Sequence, residues 1–237
     1  MTKHDDFLFP VCVSTKLDIF PAQKLILDSL IEQLHIFHGT VLDIGCGNKP
    51  YKPLFLSPPS NAQKYIGLDL PNSRYNPPDL EWDGLHIPLN DSSVDCAVAT
   101  EVFEHCPEPE IVMKETVRVL KPGGIVFFTV PFFWPLHCVP HDEYRYTPFA
   151  LERHLKKSGF DEIKIKALGG WDASLAQMVG LWVRRRPMAG WKRRILSNLA
   201  VPVVRALFKI DRPANAFADQ SMMPMISGVA IKRKQAQ

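Results

Sequence analysis

An α/β fold, with a mostly parallel sheet covered by helices on both faces, is what this 237-residue sequence predicts. Three observations carry the prediction. The strand-like runs TVLDI (40–44), VDCAVA (94–99) and IVFFTV (125–130) are apolar without a polar alternation, as strands buried on both faces are. Segments with helical spacing separate them. A last apolar run, MISGVAIK (225–232), returns late enough to add an antiparallel C-terminal edge strand. The chain is 46% hydrophobic and 22% charged, which excludes disordered, collagenous and disulfide-scaffold classes and demands a packed core.

In chain order, residues 21–37 place Leu27, Leu30, Ile31 and Leu34 at helical spacing behind Pro21, and Gly39 closes the element. The run 40–44 then meets Gly45-Cys46-Gly47, and KYIGLDL (64–70) is a second strand ending in an acid. Between them Asn48, Pro50 and Tyr51 open a short helix that Pro58-Pro59 ends. After the strand at 94–99, Ile111, Val112, Val119 and Leu120 mark a helix over 108–120, and Lys121-Pro122-Gly123-Gly124 turns the chain into 125–130. Residues 131–148 are crowded with aromatics, prolines and histidines. The next helix has Thr147 as cap, Pro148 in its first turn and Gly159 as stop. DEIKIKAL (161–168) alternates as a half-buried strand. The expected segments are an N-terminal segment and leading helix (1–39), a core (40–168), a basic helical lid or appendage (169–224) and a C-terminal strand with tail (225–237).

A formal net charge of +3 hides an uneven distribution. Residues 1–180 hold 16 Lys and Arg against 23 acids, whereas 181–212 hold nine against one. The five cysteines include no CxxC pair, so reduced thiols in a cytoplasmic protein are expected. The N-terminus has acids where a secretory signal would be basic, and no stretch reaches the 18 or so apolar residues of a membrane span.

A strand that delivers Asp43, Gly45 and Gly47 into a turn, beside a strand ending in Asp69, suits a nucleoside held at the carboxyl ends of parallel strands. The glycines let ligand atoms approach the backbone, and the acid accepts from two ribose hydroxyls. The plainer reading is a tight turn with Asp69 as a helix cap. Pro50 stands where a dinucleotide fingerprint needs its third glycine, which counts against a nicotinamide cofactor.

VLDIGCG (41–47), YIGLDL (65–70), WDGLHIPLNDSSVDCAVATEVFEH (82–105), RVLKPGG (118–124) and IVFFTVP (125–131), in this order, resemble the class I S-adenosylmethionine-dependent methyltransferases of the methyltransferase type 11-like family, relatives of the quinone-biosynthesis enzymes. The stretch 141–160 is similar to a subgroup found among bacterial surface-polysaccharide genes. The resemblance covers 38–168 and implies a Rossmann-like doubly wound sheet of seven strands, with S-adenosyl-L-methionine as donor. It implies that Asp43, Gly45 and Gly47, with Cys46 between them, meet the methionine moiety. Asp69 would bind the ribose, Leu70 would lie beside the adenine, and Asp83 with Gly84 would meet the adenine amino group. Glu101 would line the donor's methionine end, while His105 either contacts substrate or caps the following helix. The resemblance leaves the path of Asn48-Lys49-Pro50 open.

Methyl transfer by in-line displacement needs an aligned acceptor more than covalent catalysis, since proximity alone can supply about 7–11 kcal/mol. A base adds roughly 10²–10⁴-fold when the acceptor must lose a proton. On the loop after 125–130, His137 or His141 is the expected base, with Tyr144 and Arg145 orienting a polar or anionic acceptor. Alternatively Arg145 holds the loop through Asp142. No metal is expected, because Asp142 and Glu143 are a thin set of hard ligands.

The expected function is methylation of a small-molecule, glycan or lipid-linked hydroxyl. Methylation of RNA or of a quinone, or a silent donor-binding regulatory subunit, are the alternatives. The basic segment with Trp182 and Trp191 reads as a solvated lid, as peripheral contact with an anionic bilayer at the inner membrane face, or as RNA binding.

Overall fold

The computed structural model describes residues 5–71 and 75–234. The expected terminal segments at 1–4 and 235–237 lie outside the described residues. Two compact units emerge, one formed by residues up to 29 with 166–225 and one by 30–165 with the residues from 226 onward.

The chain runs α1 (Asp5–Leu8), α2 (Phe20–Gln33), β1 (His38–Ile44), α3 (Lys52–Phe55), β2 (Asn61–Asp69), β3 (Leu80–Glu81), β4 (Val94–Thr100), α4 (Pro109–Val119), β5 (Leu120–Pro131), α5 (Pro148–Ser158), β6 (Phe160–Leu168), α6 (Trp171–Arg185), α7 (Gly190–Ile210) and β7 (Met225–Lys232). Seven strands form one mixed sheet in the order β3-β2-β1-β4-β5-β7-β6. The pairs from β3 to β5 are parallel, with Val41 beside Tyr65 on one side and Cys96 on the other. From β1 the chain builds outward to β2 and β3, then crosses back to β4 and β5. The order therefore reverses between β1 and β4, the place where open α/β sheets leave a crevice outside the carboxyl ends of their strands.

Local signals account for most boundaries. The Thr147 hydroxyl accepts from the Ala150 amide, Pro148 starts α5, and Gly159 ends it at φ 104°. Helix α2 closes earlier than expected, through a tight turn at Leu34–Ile36, and Gly39 falls inside β1. Residues 121–124 belong to β5 rather than to a free turn. Val94 pairs with Leu120 and Cys96 with Ile125, so these four residues bulge out of the ladder.

The C-terminal strand β7 joins the sheet as its antiparallel member, one place inside the edge position expected for it. Burial explains the order. Residues 225–228 of β7 are all buried and need cover on both sides, whereas β6 alternates half-buried and exposed over 161–165 and tolerates the outermost place. The seventh strand, β3, is two residues long and leaves no periodic trace in the sequence.

In the unit built on 30–165, Phe37 packs edge-on against Phe55 with ring centroids 4.8 Å apart and against Phe127 at 6.4 Å. Burying each such ring is worth about 1.5–3 kcal/mol. In the other unit, Leu17, Phe20, Ala176 and Val204 share a core, and the Phe20 and Phe208 rings lie 5.3 Å apart. There Arg185 Nε donates to Asp18 Oδ2 at 2.6 Å, and Gln177 donates to the Asp18 carbonyl at 2.7 Å.

Candidate active site

The glycine turn leaves β1 with Gly45 at φ 68° and Gly47 at φ 50°, in the left-handed region open to glycine. The amides of Gly45 and Cys46 both donate to the Leu68 carbonyl, at 2.8 and 3.0 Å, which ties the turn to the end of β2. A Cβ on Gly45 would lie 2.6 Å from Val102 Cγ2, so only glycine fits. At Gly47 such a Cβ would meet the Tyr75 ring at 3.8 Å, an ordinary contact, so the positive φ rather than crowding calls for glycine there.

Asp69, at the end of β2, is buried. One carboxylate oxygen accepts from the Gly47 amide at 2.8 Å and the other from its neighbour Leu70 at 2.7 Å. Two amides thus fix the carboxylate while further acceptor capacity remains on both oxygens. Asp43 is buried in β1, where Tyr65 Oη donates to it. Burial pushes the Asp43 carboxyl up to about 7, against the opposing effect of the Tyr65 hydrogen bond. Cys46 turns its side chain inward, and burial pushes its thiol up to about 12, so only its backbone borders the turn.

The open path after Gly47 is now defined. Lys49, at φ 56°, donates its amide to the Cys46 carbonyl at 2.7 Å and its Nζ to Asp79 Oδ1 at 2.7 Å. Asp79 also accepts from the Gly67 amide at 2.7 Å. This brace was not legible in the sequence, because Asp79 sits in a loop without pattern.

Strand β3 carries the next stretch to the same sheet edge. Asp69 pairs with Glu81 and accepts the Trp82 amide at 3.2 Å, so residues 82–84 follow beside Asp69. Leu70 and Gly84 come together, as a Cβ on Gly84 would lie 3.5 Å from Leu70 Cδ2. Asp83 caps its own turn. It accepts from the amides of Leu85 and His86 at 2.8 and 2.7 Å and faces His86 Nδ1 at 3.0 Å, contacts that hold its carboxyl below the usual range. Asp83 and Trp82 line an open depression with Pro71, Glu81, His86 and Pro88.

Beyond β4, Glu101 adopts φ 56° and donates its amide to the Thr129 carbonyl at 3.0 Å, while its carboxyl accepts from Thr129 Oγ1 at 2.8 Å. Burial pushes that carboxyl up to about 7. Glu104 is 0% exposed and neither of its carboxyl oxygens has a hydrogen-bond partner. Burial and the nearby Glu101 push it well above the usual range. The Glu104 carbonyl accepts from Glu143 and Tyr144 amides at 2.9 and 3.0 Å, which lays the loop 132–147 along this turn.

On that loop Arg145 is committed locally. Its guanidinium grips Asp142 with two bonds of 2.8 and 2.9 Å and donates to the carbonyls of Tyr144 and Trp134 at 2.7 and 3.2 Å. The loop-holding alternative weighed for Arg145 describes this arrangement, with Asp142 as the partner. Tyr144 donates to the Pro107 carbonyl at 3.1 Å and stacks on Tyr146. His141 is exposed, and its carbonyl accepts from His105 Nδ1 at 2.6 Å. His105 and His137 meet edge to face at 4.6 Å, and burial lowers the His137 imidazole below its usual range despite Asp142.

A doubly wound sheet with a glycine turn, a fixed acid on the next strand and an acidic turn after β4 defines the class I S-adenosylmethionine-dependent methyltransferases. The chain carries such a domain: residues 42–128 match the family model described as a methyltransferase domain. S-adenosyl-L-methionine is the cofactor of this class, and the glycine turn tied to the end of β2 beside the fixed Asp69 carboxylate fits it. The nicotinamide reading falls away. Among relatives, an uncharacterized methyltransferase of Mycobacterium sp. (strain JLS) is 27% identical over 70% of this chain and 73% of its own length. A malonyl-[acyl-carrier protein] O-methyltransferase of Marinomonas sp. (strain MWYL1) is 31% identical over 45% of this chain and 44% of its own. The chain thus spans less than half the length of some curated relatives it matches. A crystal structure of a SAM-dependent methyltransferase from Archaeoglobus fulgidus shares the fold, with a TM-score of 0.53 and 16% identity over 88% of this chain and 92% of that one.

Proposed function

We propose that the protein transfers a methyl group by in-line displacement from S-adenosylmethionine to a hydroxyl on a small-molecule, glycan or lipid-linked acceptor. The observation that supports this reading is the shared edge: Asp43, the glycine turn, Asp69 and Glu101 lie at the carboxyl ends of β1, β2 and β4, and the polar loop 132–147 leaves the carboxyl end of β5 beside them. The bound donor supplies an electrophilic sulfonium methyl. Asp43, Gly45, Gly47 and Glu101 take its methionine end, Asp69 its ribose, and Leu70, Asp83 and Gly84 its adenine.

A donor ammonium beside Asp43 favours the ionised carboxylate, whereas burial favours the protonated one. At pH 6, below the Asp43 value of about 7, binding is therefore expected to release up to one proton. Calorimetry in buffers of different ionisation enthalpy reads that release directly. An unchanged proton count in Asp43→Asn would remove this role.

Of the two candidate bases, His141 is assigned the proton, because it is exposed to the solvent that carries the proton away, while His137 is wedged against His105 and Asp142. Arg145 and Tyr144 shape the acceptor side by holding the loop. Turnover of labelled donor with hydroxylated glycan acceptors is expected to fall about 10²-fold or more in His141→Ala, with donor affinity unchanged. Equal turnover in the variant would reject His141 as base, and donor binding without turnover on any acceptor would favour the silent-subunit reading.

A lipid-linked acceptor draws support from α6 and α7. Trp191, Ile195, Leu199 and Val203 are exposed at four-residue spacing and form one apolar stripe along α7. Trp171, Leu175, Met178 and Trp182, spaced four, three and four residues apart, are exposed along α6 in the same way. Arg186 lies over the Trp182 ring at 4.0 Å, and Lys192, Arg193 and Arg194 cluster at the start of α7. Exposed apolar stripes bordered by cations and tryptophan suit the surface of an anionic bilayer better than RNA, whose phosphates would meet cations alone. No helix among the described residues is long and apolar enough to cross a membrane. Flotation should retain the protein on phosphatidylglycerol-rich vesicles but not on phosphatidylcholine, and Leu199→Glu should release it. Equal recovery with and without lipid would eliminate the bilayer proposal.

A further inference from the structure

Three buried polar atoms on the turn after β4 and the loop 132–147 have no hydrogen-bond partner: both carboxyl oxygens of Glu104 and Nδ1 of His137. Buried groups of this kind are ordinarily satisfied, and an ion is one of the few things that can answer a carboxylate and an imidazole together. Around them, one donor atom each from His105, His137 and Cys138 lie within 4.8 Å of one another. Glu104 Oε1 lies 3.8 Å from His105 Nε2.

The surroundings are those of metal ligands. His105 Nδ1 donates to the His141 carbonyl at 2.6 Å, which fixes the tautomer and leaves Nε2 with its lone pair toward Glu104. Asp142 Oδ2 lies 3.3 Å from His137 Nδ1 without hydrogen-bond alignment, and Arg145 clamps that carboxylate from its other side. Cys138 is the exposed cysteine of the five, held at φ 53°. Ligands on a tetrahedral ion stand about 3.3–3.8 Å apart for bonds of 2.0–2.3 Å, so the donors of His105, His137 and Cys138 need to contract by about 1 Å, a small shift for a loop, while Glu104 approaches from beside His105.

We propose that Glu104, His105, His137 and Cys138 bind a divalent ion of the zinc class, which clamps the loop 132–147 to the turn after β4. Imidazole and thiolate select zinc or cobalt over magnesium or calcium. Two ligands come from each segment, so the ion cross-links the donor side of the site to the acceptor side. The expectation of no metal considered Asp142 and Glu143 on one loop, whereas these four side chains meet only in the fold.

The inference stands on this cluster and not on methyl transfer, and its readout is metal content. Chelator-stripped protein incubated with zinc and dialysed is expected to retain about one ion per chain by elemental analysis. Cobalt in its place should show a near-ultraviolet thiolate charge-transfer band that disappears in Cys138→Ser, an exposed position where the fold is retained, as checked by the unfolding midpoint. His137→Gln should weaken zinc about tenfold or more in competition with a chromogenic chelator. Substoichiometric zinc, a cobalt spectrum without the thiolate band, or equal affinity in both variants would overturn the site, and none of these results would bear on donor binding.

Discussion

Asp69→Ala is expected to lower affinity for S-adenosylmethionine and for its demethylated product by at least about 10²-fold, because two hydrogen bonds donated by ribose hydroxyls to the proposed carboxylate would each be worth about 1.5–3 kcal/mol. The structure gives this position unusual leverage. The same carboxylate accepts from the amides of Gly47 and Leu70, so its removal loosens the glycine turn as well as the ribose contact. Leaving those two donors unanswered costs roughly 1–3 kcal/mol each where water cannot reach them. Asp69→Asn keeps an acceptor without its charge and should fall between wild type and alanine. Calorimetric titration of the three proteins measures the series, and alanine within threefold of wild type would refute the ribose role.

Gly45→Ala is expected to destabilise the fold by about 2–5 kcal/mol and to abolish donor binding. Two separate terms add. A left-handed residue with a Cβ costs roughly 1–2 kcal/mol, and Gly45 sits at φ 68°. The added methyl would stand 2.6 Å from Val102 Cγ2, an overpacking worth about 1–3 kcal/mol. The second substitution Val102→Ala removes the clash and leaves the backbone strain, so the double variant should recover only part of the loss. Urea unfolding of the single and double variants separates the terms, and full recovery would show that strain contributes nothing.

The elements that were legible share a local cause. Thr147, Pro148 and Gly159 bound α5 by capping and by a left-handed stop, interactions contained within a few residues. The apolar runs of β1, β4 and β5 announce burial on both faces, which is a property of each run by itself. The glycine turn and the acids Asp43 and Asp69 were legible because they fall at the ends of apolar strand runs. Strand β3 was not, since two residues carry no period, yet it is what brings Asp83 and Gly84 beside Asp69. The edge position assigned to β7 failed for a related reason: which strand lies outermost depends on how β6 and β7 are covered, not on their own spelling.

By itself, then, the sequence determined the class of fold, the glycine turn after β1 and the acid that faces it, because periodicity, capping and backbone sterics act over short spans. Tertiary structure alone decided what the loop 132–147 lies against. Glu104 and His105 stand some thirty residues before His137 and Cys138, and only the docking of that loop on the Glu104 carbonyl brings them together. It also spent Arg145 on Asp142 rather than on an acceptor, since a buried carboxylate takes the nearest guanidinium that can grip it with two bonds. Long-range pairing of this kind follows from which surfaces are desolvated together, and that is fixed only when the chain has folded.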